Sequence, residues 1–191
     1  MCPISAPTLR HKGLGFTLIE ALVVVTIVAI LAALAIPSFT QLLQNNRVAA
    51  ASSAMQVALN LARSEAVKRG ADARVTVAAN SLAGAWNNGW TVFLDKTGNA
   101  NNGVAPSSDS ASITRLELVA ALSPSVSFSQ TGTLNYFTYN GQGRLITSTG
   151  AVANRSFWFF EGNSDKYCLI INTTGRVRSD RVGSAASCVT E

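Results

Sequence analysis

Residues 13–39, GLGFTLIEALVVVTIVAILAALAIPSF, decide how the rest of the chain is read. From Phe16 to Ile36 the run is apolar for about 21 residues, which as a helix rises roughly 30 Å, one hydrocarbon thickness. A single carboxylate, Glu20, interrupts it. A charged side chain near the centre of a bilayer costs about 2.5–3.5 kcal/mol on insertion scales, so Glu20 asks for a partner. Thr17-x-x-Glu20 also fits a capping box, which would engage the residue locally. Arg10, His11 and Lys12 stand directly ahead of the run, and the positive-inside rule puts that side in the cytoplasm and the body after Pro37 outside. No Ala-x-Ala site follows the run, so a conventional discarded secretory signal fits poorly.

Moving outward, Pro37 removes one backbone hydrogen bond and is expected to kink the helix. Helical periodicity then resumes: Val48, Ala51, Met55, Leu59, Ala62 and Ala66 recur at spacings of three or four, a stripe for burial rather than for a cofactor. Lys68 and Arg69 suit the C-terminal end of a helix dipole, and Gly70 is a natural stop. Beyond Gly70 the pattern shortens to strands rich in β-branched and aromatic residues at 73–79, 89–95, 113–119, 125–129, 134–139, 155–161 and 166–172. Clusters of Gly, Asn and Ser divide them, which predicts antiparallel sheets on a helix: an α+β fold. Two turns read alike, YNGQGRLIT (139–147) and INTTGRVRS (171–179), each as strand, Asn-x-x-Gly-Arg, strand, with glycine supplying a positive φ.

Charge and composition narrow the chemistry. The chain has 191 residues and a formal net charge of +5. From Arg144 onward six cations (Arg144, Arg155, Lys166, Arg176, Arg178, Arg181) face four acids (Glu161, Asp165, Asp180, Glu191), a mild excess that permits an anionic partner without demanding one. The one histidine, His11, precedes the apolar run, so loss of that segment would exclude histidine-based catalysis and histidine metal sites. We expect no enzyme, no cofactor and no metal. Residues 95–103, DKTGNANNG, alternate oxygen-bearing side chains in the manner of a calcium loop, but Asp95 is their only acid and an ordinary loop is preferred.

Gly15-Phe16-Thr17-Leu18-Ile19-Glu20 resembles the processing site of type IV pilins and of the pseudopilins of type II secretion. The resemblance implies cleavage between Gly15 and Phe16 by a prepilin peptidase and N-methylation of Phe16. It also implies that the apolar helix is retained and that Glu20 pairs with the terminal amine of a neighbouring subunit. Pro37 falls where the family usually has one. The chain then divides into a basic leader (1–15), a transmembrane and assembly helix (16–43) and a periplasmic globular domain (44–191). The resemblance places it in the inner membrane, crossing once, before assembly into a pilus or pseudopilus with other subunits.

GFTLIE, GWTVFLD, YNGQGR and YCLIINTTGRVR, in that order, are similar to the minor-pilin branch containing FimT, FimU and the secretion pseudopilin H. Gly175-Arg176-Val177-Arg178 resembles the C-terminal Gly-Arg-x-Arg motif of FimT-type pilins, which implies sequence-independent capture of double-stranded DNA by Arg176, Arg178 and Arg181. Two or three phosphate contacts would give a log–log salt slope of about −2 to −3. Arg176 and Arg178, two apart, would share a strand face, with Arg181 close behind. Solvated arginines covering apolar neighbours, in a subunit that acts only in secretion pseudopilus assembly, remain the alternative. Cys2 lies in the leader. Cys168 and Cys188 either close a loop worth roughly 3 kcal/mol or remain buried thiols, and an outward compartment favours the bridge.

Overall fold

In the computed structural model, residues 15–70, 73–81, 85–96, 105–106, 108–132, 134–147 and 149–188 are described. Cys2, the basic leader residues and most of the 95–103 loop lie outside them. The chain divides into two compact units, Met1–Thr40 and Gln41–Glu191. Helix α1 (Leu18–Arg69) contributes to both and continues without a break through Pro37.

Within the first unit the helix begins with a cap. The Thr17 hydroxyl accepts a hydrogen bond from the backbone N–H of Glu20 at 3.2 Å, satisfying one of the orphan donors of the first turn. That bond uses the backbone of Glu20 rather than its carboxylate.

In the second unit the stripe read from the sequence is the buried face of the helix. Val48, Met55, Leu59, Ala62 and Ala66 are fully buried, and Ala58 joins them. The helix ends at Arg69, and Gly70 turns the chain at φ +88°, a conformation costly for any residue with a Cβ. Two antiparallel sheets complete the unit. One has the order β3 (Ile113–Val119), β2 (Trp90–Asp95), β1 (Arg74–Ala79), β5 (Tyr136–Asn140), β6 (Leu145–Ile146). The other runs β4 (Ser127–Gln130), β7 (Arg155–Phe160), β8 (Lys166–Ile171), β9 (Val177–Val182). The helix packs on both, so the fold is α+β, as expected. The core joins the helical stripe to Val75, Val77, Phe137, Tyr139, Phe157, Leu169 and Ile171. Trp86 stacks on Phe137 and Phe128 at ring-centroid distances of 5.0 and 5.3 Å, and Phe137 stacks on Phe157 at 5.1 Å, which ties the two sheets together.

Strand limits depart from the sequence expectation where side chains or turns capture the backbone. β4 starts at Ser127 rather than 125, because Val126 donates back to the Ser123 carbonyl in a turn. β5 starts at Tyr136 rather than 134. The Leu134 carbonyl accepts instead from Trp86 Nε1 and Gln130 Nε2, at 3.2 and 2.7 Å. Trp86–Asn88 form a short 3-10 helix that places the indole in the core.

Candidate functional sites: the apolar helix and the arginine turns

The first unit presents apolar side chains on every side. All described side chains from Phe16 to Thr40 are exposed, among them Phe16 at 78% and Leu34 at 70%. Soluble surfaces seldom carry an apolar expanse of this extent, which marks a membrane or protein interface. Helix α1 is long and apolar enough here to cross a bilayer. Glu20 is the one acidic residue of the segment and sits in its first turn.

Within the second unit the two similar turns fold to the same pattern and meet. In the first, Asn140 Oδ1 accepts from the N–H groups of Gln142 (3.1 Å) and Arg144 (3.0 Å), and Gly143 N–H donates to the Asn140 carbonyl (2.8 Å). In the second, Asn172 Oδ1 accepts from the N–H groups of Thr174 (3.1 Å) and Arg176 (3.0 Å), and Gly175 N–H donates to the Asn172 carbonyl (2.9 Å). Each asparagine thus holds its own turn, and each glycine adopts positive φ, +72° at Gly143 and +78° at Gly175. Both glycines are buried while Arg144 and Arg176, which follow them, are exposed. The glycine backbones touch: a Cβ on Gly175 would lie 1.9 Å from the Gly143 carbonyl oxygen. Arg63 of α1 fastens the pair, its Nε donating to the Gly143 carbonyl (3.0 Å) and its Nη2 to that of Thr174 (3.2 Å). Beneath them the Tyr139 hydroxyl is buried without a hydrogen-bond partner among the described residues, and burial pushes its pKa well up.

The three C-terminal arginines divide. Arg176 precedes β9 and Arg178 lies in it, yet both line one open groove of about 350 Å³ with Ile170, Asn172 and Val177. Arg178 is paired with Asp180 at 2.9 Å. Arg181 is three residues beyond Arg178 and therefore projects from the opposite face of the strand. It lies opposite Tyr167 in the register, 5.9 Å from that ring centroid, and its Nε donates to Asp165 at 2.8 Å. Expectation placed Arg181 with the other two; the odd spacing separates it from them. Cys168 and Cys188 form a disulfide with Cα atoms 5.7 Å apart, fastening the segment after β9 to β8.

Comparison with known proteins fits this architecture. The family model described as Type II transport protein GspH matches residues 51–175, and that of the prokaryotic N-terminal methylation motif matches residues 10–36. The chain belongs to the GspH family. This is a family of structural pilin and pseudopilin subunits, not a known enzyme family. No curated protein matches the chain. Among solved structures, the type IV minor pilin FimU of Pseudomonas aeruginosa is similar in two crystal forms, with TM-scores of 0.54 and 0.51. Each match has 19% identity, covering 75% and 73% of this chain and 96% and 98% of FimU. At that identity the likeness is one of fold. Membership implies assembly with other pilin-type subunits and processing by a prepilin peptidase, and the apolar helix fits an inner-membrane anchor.

Two features of this GspH-family chain escaped the sequence reading. Arg63 stands four residues after Leu59, at the margin of the buried stripe, and only that spacing hinted that it faces inward. The other is a clasp near the start of the second unit. Arg47 Nε donates to Glu161 Oε2 at 2.9 Å and Nη2 to Oε1, while Asp165 N–H donates to Asn45 Oδ1 at 3.1 Å. The Glu161 side chain is 6% exposed, and its bonds to Arg47 hold its carboxyl below the ordinary range against the opposing effect of burial. Residues 114 apart in the chain make this pair, so no local pattern signals it.

Proposed function

We propose that this chain is a minor-pilin-type assembly subunit. A prepilin peptidase cuts between Gly15 and Phe16 and methylates the Phe16 amine, residues 16–43 anchor the product once in the inner membrane, and residues 44–191 stand in the periplasm. Subunits then stack by burying the apolar helix among its neighbours, with Glu20 meeting the terminal amine of an adjacent subunit. The observation that carries this reading is the exposed, largely apolar surface of the described side chains from Phe16 to Thr40, in which Glu20 is the one charged group. In lipid the surface is solvated. Outside lipid it needs other helices, and an unpaired carboxylate favours the arrangement that supplies a cation. Pro37 lies within this segment and removes one helical hydrogen bond there.

The test is Glu20→Ala in the full chain. Membrane insertion should persist while recovery in sheared filaments or pseudopili falls at least tenfold. Incorporation at the wild-type level would refute the reading.

A second reading, capture of double-stranded DNA, rests on Arg176 and Arg178 lining one groove. The pairing of Arg178 with Asp180 and of Arg181 with Asp165 weakens the positive field there, so we rank it below assembly. Binding of a labelled duplex by the full chain in detergent micelles should fall steeply with salt, and Arg176→Gln with Arg178→Gln should abolish it. A flat salt series would leave assembly alone, in a pilus or a secretion pseudopilus.

A further inference from the structure

We propose that Arg144 is a phosphodiester-contacting residue, and that the two stacked Asn-x-x-Gly-Arg turns form one two-arginine site for a nucleic-acid backbone. The proposal rests on the DNA reading and extends it outside the C-terminal motif. Its warrant is the equivalence of the turns. Arg144 and Arg176 each follow the positive-φ glycine, and each donates its backbone N–H to the asparagine of its turn at 3.0 Å. Both side chains are exposed.

The contact between Gly175 and the Gly143 carbonyl fixes how far apart the arginines are. From Gly143 oxygen to the Arg144 Cα, and from the Gly175 Cα to that of Arg176, only one peptide intervenes on each side. Standard backbone dimensions then put the two arginine Cα atoms within about 10 Å of one another. A nucleic-acid strand carries one phosphate per roughly 3.4 Å of rise, so two long guanidinium side chains at that separation reach phosphates on one strand together.

The pair is also held in place, which lowers the ordering cost of binding. Each asparagine locks the backbone of its arginine, and Arg63 ties both turns to α1 through the carbonyls of Gly143 and Thr174. Arg63 spends its donors on that task and acts as a positioning residue. Neither Arg144 nor Arg176 follows from the other in sequence; their juxtaposition comes from the fold. Two charge-assisted phosphate contacts without any base readout would give weak, salt-sensitive and sequence-independent affinity.

The experiment measures anisotropy of a labelled random-sequence duplex with the full chain in detergent micelles, from 50 to 300 mM salt, chosen as about the range over which phosphate contacts are lost. Wild type is compared with Arg144→Gln, Arg176→Gln and, as a surface-charge control on β3, Arg115→Gln. Thermal unfolding checks that each variant is folded. The expected result is that Arg144→Gln and Arg176→Gln each weaken binding roughly five- to tenfold at 0.1 M salt and each flatten the log–log slope by about one. Arg115→Gln should leave both unchanged. Wild-type binding that Arg176→Gln weakens and Arg144→Gln does not would overturn this proposal while sparing the DNA reading. An equal loss in Arg115→Gln would also overturn it, by assigning the binding to diffuse charge. Absence of salt-dependent binding by wild type would remove both.

Discussion

Helix α1 carries two surfaces that solve opposite problems. From Phe16 to Thr40 the described side chains are exposed and mostly apolar. From Val48 to Ala66 the small residues Ala51, Ala58, Ala62 and Ala66, with Met55 and Leu59, are buried against the sheets. On the proposed reading, side chains of the first surface gain their contacts between molecules and govern insertion and assembly. Those of the second gain them within the molecule, so they govern folding. One helix therefore separates two readouts that most proteins mix.

The sharpest way to break that contrast is a matched pair of truncations. Leu59 is fully buried and Leu31 is 60% exposed. Leu59→Ala should destabilise the full chain in detergent by about 2–5 kcal/mol in denaturant unfolding, the range for a buried leucine that leaves a cavity. Leu31→Ala should change unfolding by less than about 0.5 kcal/mol while reducing incorporation into filaments. Comparable unfolding losses would show that the apolar half is also part of the folding unit.

The disulfide sharpens the comparison next, because it acts on the second region alone. It links positions 20 apart, and loop entropy gives such a bridge about 3 kcal/mol. Cys188→Ala should lower the unfolding free energy by roughly that amount and abolish its sensitivity to reductant. Stability unchanged by reductant in wild type would refute the bridge.

Glycine positions within the second region offer a smaller and more local contrast. Gly175 and Gly132 share positive φ, +78° and +80°, but a Cβ at Gly132 meets nothing within 4 Å while one at Gly175 strikes the Gly143 carbonyl. Gly132→Ala should cost about 1–2 kcal/mol for the left-handed backbone alone. Gly175→Ala should cost at least about 2 kcal/mol more, since two backbones must part. Equal losses would show that the paired turns do not press together.

What the sequence disclosed and what it withheld follow one physical division. The buried stripe, the stop at Gly70, the strands and the glycine turns are properties of short windows, because helix and strand periods and the φ demands of turns are local. Even Thr17 as a cap and the likeness of the two turns were legible in this way. Nothing local reports that the turns stack, that Arg63 bridges them or that Arg47 meets Glu161, since those contacts join distant segments of the chain. Arg181 illustrates the boundary. Its proximity to Arg178 in sequence suggested one cluster, whereas the alternation of the strand sends it toward Tyr167 and Asp165.

The Arg47–Glu161 clasp yields the smallest expected effect, and one whose sign is set by the direction of the pKa shift. Glu161 in the folded chain has its carboxyl held below the ordinary value of 4.5, first by the Arg47 hydrogen bond, with Ser125 adding to it and burial opposing. A carboxyl lowered by folding contributes stability that is present above the unfolded value and fades as pH falls through the folded one. Asp109 is lowered as well, by the backbone and then the side chain of Arg115, so the wild-type acid limb contains both groups. Subtracting the curve of Glu161→Gln isolates the clasp. The variant should unfold more easily at neutral pH, and the difference from wild type should shrink steadily below pH 4.5. A difference that stays constant with pH would assign the role of Glu161 to packing and its neutral hydrogen bonds. Growth of the difference in acid would reverse the sign and refute the electrostatic account. Asn45 fixes the same β7–β8 turn through the Asp165 N–H, without a titrating group. Asn45→Ala is therefore expected to lower stability by about 0.5–1.5 kcal/mol equally at every pH, the contrast that distinguishes a charge-dependent fastening from a neutral one on the same turn.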